Sequence, residues 1–364
     1  MKIIVKQKII ILLFCLFVVG GGLSGQQIIS EKPNSQKSDM KDLVEKLAKI
    51  KPASDAIEMK ETRLLPKMAD EQEDHYLWDP VRLDLDMSGN IYITDWKANS
   101  LMKYDAKGNF IKKIGKSGQG PGDLSYPRGI RIIKDKIMVV EGNFRIQLFD
   151  LDGNSQKIIP LFKAFMNMDM DESEAIYGIP ISSNHLVEEL SPDGKLIRSF
   201  GDKLDIKNLN FSGDGYIYVN KNKEIVIVFR FFPIMRKYSQ TGDLLAEYRI
   251  KTQAFDEKEK FNLKSIDDAR WQKKNPTCYQ VVSSAEISGD HLFISDFDTQ
   301  RYWIREINEK GTIIRTFWAH VAEGFADMDI FPREENNQMT FYVLRRGLSP
   351  WPGVSIFRPM NKLN

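Results

Sequence analysis

Residues Val81 to Gly115, VRLDLDMSGNIYITDWKANSLMKYDAKGNFIKKIG, decide the fold. Val81, Leu83 and Leu85 alternate with polar neighbours, Met87-Ser88-Gly89-Asn90 interrupts the run, and Ile91 and Ile93 resume it. Period-two alternation on both sides of a glycine turn is the pattern of a β-hairpin. A second pair of extended runs flanks Asp105-Ala106-Lys107-Gly108-Asn109, so the stretch predicts four antiparallel strands. The second turn recurs as Asp150 to Asn154, Ser191 to Lys195, Ser239 to Asp243 and Asn308 to Thr312, its glycines 45, 41, 48 and 69 residues apart. One supersecondary unit recurring at such spacing marks a repeat architecture. The last interval is long because Lys251 to Cys278 is inserted.

The two ends settle the number of repeats. Phe325 to Phe357 offers only three strands, near Ala326 to Ile330, Met339 to Leu344 and Val354 to Phe357. Ile57 to Leu65, extended and otherwise without a partner, supplies the fourth. Closing the ring with both termini removes the open sheet edges that invite aggregation. The expected fold is all-β, a six-bladed β-propeller of four-stranded antiparallel blades over residues 57–364. A seventh blade would have to come from 251–278, where Asp256-Glu257-Lys258-Glu259-Lys260 reads as helix or loop instead.

Gly118-Gln119-Gly120-Pro121-Gly122-Asp123-Leu124 followed by Tyr126-Pro127-Arg128-Gly129-Ile130 resembles the glycine-rich connection and proline that open an NHL repeat. Ile91 to Asp95, Asn99, Tyr104-Asp105 and Asn143 to Asp150 resemble the rest of that repeat, and His291 to Asp296 fits less closely. The chain as a whole resembles the NHL-repeat-like six-bladed propellers of exported bacterial type. That resemblance keeps open a metal-assisted hydrolase or lyase with its site at the central channel.

Ahead of the repeats, Lys2, Lys6 and Lys8 precede the apolar run Ile9 to Val19 and the small residues Gly20 to Gly25, the order of a secretory signal peptide over residues 1–25. The run is short for a membrane span, so export to the periplasm or outside the cell is expected, with a membrane tether only if the signal stays uncleaved. Residues 26–56 form a polar linker and one short amphipathic helix, in which Met40, Leu43, Val44, Leu47 and Ile50 share a face, Ser38 or Asp39 caps the start and Pro52 ends the run. Losing residues 1–25 with their three lysines turns the formal net charge of +2 into −1, which argues against a nucleic-acid partner held by bulk charge. The mature chain keeps only Cys278, so no intrachain disulfide staples it, and it is read as a monomer built on its core.

Strand direction assigns the loops to two faces. Both glycine turns of a blade lie on one side. The glycine-rich connector and the loops carrying Asp95, Trp96, Arg128, Glu141, Asp296 and Arg345 lie on the other, at the mouth of the channel, where a propeller presents its default binding surface. These six are the candidate ligand-binding residues, suited to a protein, a peptide or a small polar molecule. Asp95 and Asn99 equally suit fixing their own loop through backbone amides. Gly115-Lys116-Ser117 lacks the upstream glycine and the following helix of a phosphate-binding loop. The histidines at 75, 185, 291 and 320 are scattered, no Gly-x-Ser-x-Gly is present, and Cys278 has no histidine nearby in sequence. No cofactor and no catalytic residue is therefore assigned. Calcium or zinc held by Asp95, Glu141, Asp296 and a histidine remains the enzymatic alternative. Residues 251–278, with Phe255, Phe261, Trp271 and Tyr279, fit a lid over the channel or a segment packed on a blade.

Overall fold

The computed structural model describes residues 34–65, 76–142, 144–206, 212–272, 275–298, 300–321, 327–335, 338–345 and 352–360. The leader expected over residues 1–25 lies outside them. Helix α1 (Asn34–Lys49) and strand β1 (Ile57–Arg63) precede the first repeat. Blade one is β2 (Pro80–Leu85), β3 (Ile91–Asp95), β4 (Ser100–Tyr104) and β5 (Phe110–Ile114). Blade two is β6 (Pro127–Ile133), β7 (Lys136–Glu141), β8 (Arg145–Asp150) and β9 (Ser155–Pro160). Blade three is β10 (Phe165–Met170), β11 (Ile176–Pro180), β12 (His185–Leu190) and β13 (Leu196–Asp202). Blade four is β14 (Gly215–Val219), β15 (Ile225–Phe229), β16 (Ile234–Tyr238) and β17 (Leu244–Arg249), followed by helix α2 (Gln253–Gln272). Blade five is β18 (Ser284–Ser288), β19 (His291–Phe297), β20 (Arg301–Ile307) and β21 (Ile313–His320). Blade six is β22 (Asp327–Glu335), β23 (Gln338–Arg345) and β24 (Gly353–Pro359), completed by β1.

The ring closes as the two termini predicted. β1 runs antiparallel to β24 from Met59↔Pro359 to Arg63↔Ser355, so a strand from one end of the chain edges a blade built from the other. β1 also pairs in parallel with β21 through Ile57↔Phe317, which joins blades five and six into one eight-stranded sheet.

The middle strands of each blade are buried on both sides, whereas outermost strands such as β5 and β17 are largely exposed. Ile91 and Ile93 of β3 join blade six residues such as Tyr342 and Leu344, whereas Tyr92 between them joins Ile137 and Phe149 of blade two. The alternation along β3 therefore records two different neighbours, and all five of its residues are buried. The pattern holds around the ring, with one apolar cluster at each seam between blades.

The recurring outer-turn glycines fit those seams. Gly108, Gly153, Gly194, Gly242 and Gly311 all have positive φ, and their hairpins carry the register slip of a glycine bulge. A Cβ at each would strike the outermost strand of the preceding blade or the residues following it: Leu65, Ile114, the Pro160 carbonyl, Phe200 and Tyr248 in turn. Blade six has no such turn, because there β24 and β1 meet as chain ends.

α1 begins at Asn34, ahead of the Ser38 or Asp39 start suggested by sequence, since nothing between breaks the helix and Gln36 and Lys37 favour it. It packs on α2 over the seam between blades four and five. Leu43 and Leu47 enter the same cluster as Phe255, Val228 and Ile294, and Asp39 meets Lys264 at 2.7 Å. The Arg301 guanidinium donates to the carbonyls of Ala48 (2.8 Å) and Ile50, satisfying the C-terminal end of α1 where a cation also suits the helix dipole. α2 is fastened by Asn262, whose Nδ2 donates to the carbonyls of Phe231 and Tyr279, both at 2.8 Å.

Gly194→Ala is expected to lower stability by about 2 kcal/mol or more, because its Cβ would sit 2.4 Å from the Pro160 carbonyl oxygen at φ +81°. Gly289→Ala, at φ +62° with nothing within 4 Å, isolates the backbone strain and should cost about 1 kcal/mol. Urea unfolding of the two variants checks the difference.

Candidate functional site

The six innermost strands, β2, β6, β10, β14, β18 and β22, surround the channel. Near their upper ends the pairing slips by one residue in four blades, between Pro80 and Arg82, Pro127 and Gly129, Phe165 and Asn167, and Asp327 and Asp329. Below the slip, register puts Arg82, Gly129, Asn167, Tyr216, Ser284 and Asp329 at one level. The next level is Asp84, Arg131, Asp169, Tyr218, Glu286 and Phe331.

Neighbouring inner strands do not pair with each other, so side-chain oxygens serve their backbone. Asp329 accepts from the Leu83 N–H at 3.0 Å and Asp84 from the Ile132 N–H at 2.7 Å. Asn167 and Asp169 accept from the Ile217 and Val219 N–H groups at 3.0 and 2.8 Å. Each bond links one blade to the next.

The channel is closed by cations that cross it. Arg131 of blade two reaches Asp169 of blade three at 3.2 Å and Glu286 of blade five, which faces it across a ring of six, at 2.5 Å. One tier up, Arg82 of blade one pairs with Asp329 at 3.6 Å and lies 5.5 Å from the ring centroid of Tyr216 in the opposite blade four. Tyr216 and Tyr218 in turn donate to the carbonyls of Ser283 and Ala285.

Three carboxylates crowd Arg131. Burial, opposed by the Arg131 charge and reinforced by Glu286, pushes the Asp84 carboxyl up to about 8. Burial likewise raises Asp169 and Glu286, against the pull of Arg131, while their negative charges hold Arg131 protonated despite its own burial. The lower tier thus retains a proton near neutral pH, because one guanidinium cannot neutralise three desolvated acids.

Above this plug lies a blind cavity at the mouth, enclosing about 810 Å³ of space that includes its opening to solvent. Its floor is Arg131, Asp169 and Glu286, and its walls include Arg82, Arg128, Glu141, Phe144, Lys163, Phe165 and Tyr218. It is set toward blades two and three. Lys163 pairs with Glu188 at 2.9 Å and Glu141 with Arg145 at 2.7 Å. Arg128 is different: it is exposed and has no hydrogen-bonding or ion-pair partner among the described residues. Partial burial and the nearby Arg82 charge hold its guanidinium below the ordinary arginine range.

The rim is aromatic. Tyr126 is 55% and Phe144 49% exposed, and both hold left-handed backbone at φ 54° and 64°. Such geometry is uncommon for bulky residues and persists only where the surroundings enforce it. Here the Tyr126 N–H donates to Asn99 Oδ1 at 2.8 Å, the Tyr126 carbonyl accepts from Gly142 at 2.9 Å, and the Phe144 carbonyl accepts from Leu161 at 2.7 Å. Trp96 packs edge-on against Tyr126 with centroids 5.9 Å apart.

Of the six candidate residues, the structure brings Arg128 and Glu141 to the cavity and Trp96 to its rim. Asp95 is buried and accepts from the backbone of Trp78, Asp79 and Ala98, fixing its loop. Asp296 is buried between Lys258 (2.9 Å) and Arg305, away from the cavity. Arg345 binds Glu61 and Ser355 within blade six. The carboxylates at 95, 141 and 296 are thus held apart by their own donors, and among the described residues no group of three His, Cys, Asp or Glu side chains is placed to share a metal ion. Cys278 is buried, and burial pushes its thiol up to about 12. No residue of α2 lines the cavity; the helix packs on blades three, four and five.

Sequence reading missed the Arg82, Arg131, Asp169 and Glu286 network and the rim residues Tyr126 and Phe144. A signal was present in part: charged residues recur at alternate positions of the first strand of several repeats, where an apolar core strand would have none.

Four-stranded blades closed by the N-terminal strand and a plugged central channel define a six-bladed β-propeller. The chain belongs to the DUF5128 family, described as a 6-bladed beta-propeller, whose model matches residues 71–336. No curated protein matches the chain. A structure from Bacteroides fragilis NCTC 9343, of a protein described as exported, is similar at a TM-score of 0.56 and 12% identity, over 86% of this chain and 98% of that one. A member of the duf4221 family from Bacteroides vulgatus is similar at a TM-score of 0.52 and 12% identity, over 84% and 96%. Virginiamycin B lyase from Staphylococcus aureus matches at a TM-score of 0.48 and 15% identity, over 83% and 88%. At these identities the likeness is one of fold. No described helix is long and apolar enough to cross a membrane.

Replacing Arg131 by Met should cost about 3–5 kcal/mol, since it leaves buried carboxylates without their cation. Because Asp84 holds its proton more tightly when folded, its contribution is complete below the ordinary carboxylate range and fades as pH rises through about 8. Asp84→Asn should therefore show a smaller fall in Tm between pH 6.5 and about 8.5 than the parent, measured by thermal unfolding at several pH values.

Proposed function

We propose that this chain is an exported, NHL-like binding or scaffold propeller that takes its ligand in the channel-mouth cavity. The observation that carries the reading is a blind polar cavity beside two exposed aromatic residues, each held by hydrogen bonds in an unfavourable backbone conformation. Strain of this kind clusters where a surface must be ready before its ligand arrives. Export rests on the order of charge, apolar run and small residues in the first 25 positions.

Ala164 lines the cavity, and Ala164→Trp should fill it. Compounds from a mixed small-molecule library that raise the Tm of the parent are expected to lose their effect on the filled variant and to be recovered chemically unchanged. Stabilisers that act equally on both proteins would place binding elsewhere. Conversion of a stabiliser to product would make the site catalytic.

A further inference from the structure

We infer that the mouth selects a small organic anion, one carboxylate or similar oxyanion group carried on a flat apolar body. The inference rests on the binding function proposed above and specifies its chemistry. It is drawn from the charge balance of the cavity. The acids of the floor and wall are already engaged: Asp169 and Glu286 by Arg131, Glu141 by Arg145, and Asp329 by Arg82 and the Leu83 N–H. Among the cations lining the cavity, Lys163 has Glu188, whereas Arg128 has no partner among the described residues. Arg128 and Arg82 line the same cavity, where burial and the Arg82 charge both disfavour the Arg128 cation, so an anion at Arg128 would relieve it, and a guanidinium is the donor best matched to a planar carboxylate.

The position of Arg128 follows from local backbone. It is the extra residue at the register slip of β6, between Pro127 and Gly129, so its side chain leaves the regular alternation of the strand. Gly142 opposite has its missing Cβ 3.1 Å from Tyr126 Cβ and 3.5 Å from Arg128 Cδ, so the glycine leaves room for both. Phe144 lines the same cavity and offers an exposed ring face within the opening. An anion at Arg128 with its apolar body against Phe144 uses the cation without a partner among the described residues and the exposed ring that line the same cavity.

The test uses the mature full chain with 3-phenylpropionate, its neutral amide and inorganic phosphate as probes, each titrated by NMR at low salt. Phenylpropionate should bind, the amide about tenfold or more weakly, and phosphate more weakly than phenylpropionate because it lacks the apolar body. Arg128→Gln should weaken phenylpropionate by about tenfold or more, Arg128→Lys by less, and Phe144→Ala by several-fold. An unchanged Tm for Arg128→Gln confirms that the fold is intact, as expected for an exposed side chain. Equal binding of acid and amide, or acid binding unaffected by Arg128→Gln, overturns the inference. If library compounds lose their effect on the filled variant while these acid probes fail, the binding function stands and only its anionic character falls.

Discussion

One guanidinium, that of Arg131, ties the ring together across its own centre. The innermost strands stand too far apart for their backbones to pair across the axis, so polar side chains must span it. Arg131 resolves this by reaching from blade two to the carboxylates of blades three and five. Its cost is an excess of buried acid, visible in the raised carboxyls of Asp84, Asp169 and Glu286. Buried ion pairs contribute little net stability, but they penalise any arrangement that separates the partners, so this network specifies how the blades are set around the axis more than it strengthens the fold.

Stability comes from the seams. Every blade shares an apolar cluster with each neighbour, and the outer-turn glycines let successive blades approach without a Cβ between them. The same plug that ends the channel also makes the cavity above it. A pore would admit water from both sides, whereas a blind pocket with a fixed polar floor can desolvate one end of a ligand.

The mouth face is divided unequally. Over blades four and five, α1 and α2 cover the loops, and Arg301 and Asn262 are spent on anchoring them. Over blades one and two no described helix lies on the loops, and the exposed rings of Trp78, Trp96, Tyr126, Phe144 and Phe162 belong to loops of blades one to three.

The repeat, the glycine turns, the number of blades and the strand that closes the ring were all legible in the sequence, because each depends on local periodicity or on counting strands. So was the face on which loops converge, which follows from strand direction alone. Of the individual candidates only Arg128 and Glu141 reach the cavity lining. Asp95, Asp296 and Arg345 share that face with Arg128, yet each is consumed by a partner remote in sequence or by its own loop, at separations that no spacing reveals. Arg131 and Glu286 are 155 positions apart and meet only because six blades place the second opposite the fifth. Which charges remain free to bind is the residue left after all such pairings are made, and only tertiary structure makes them.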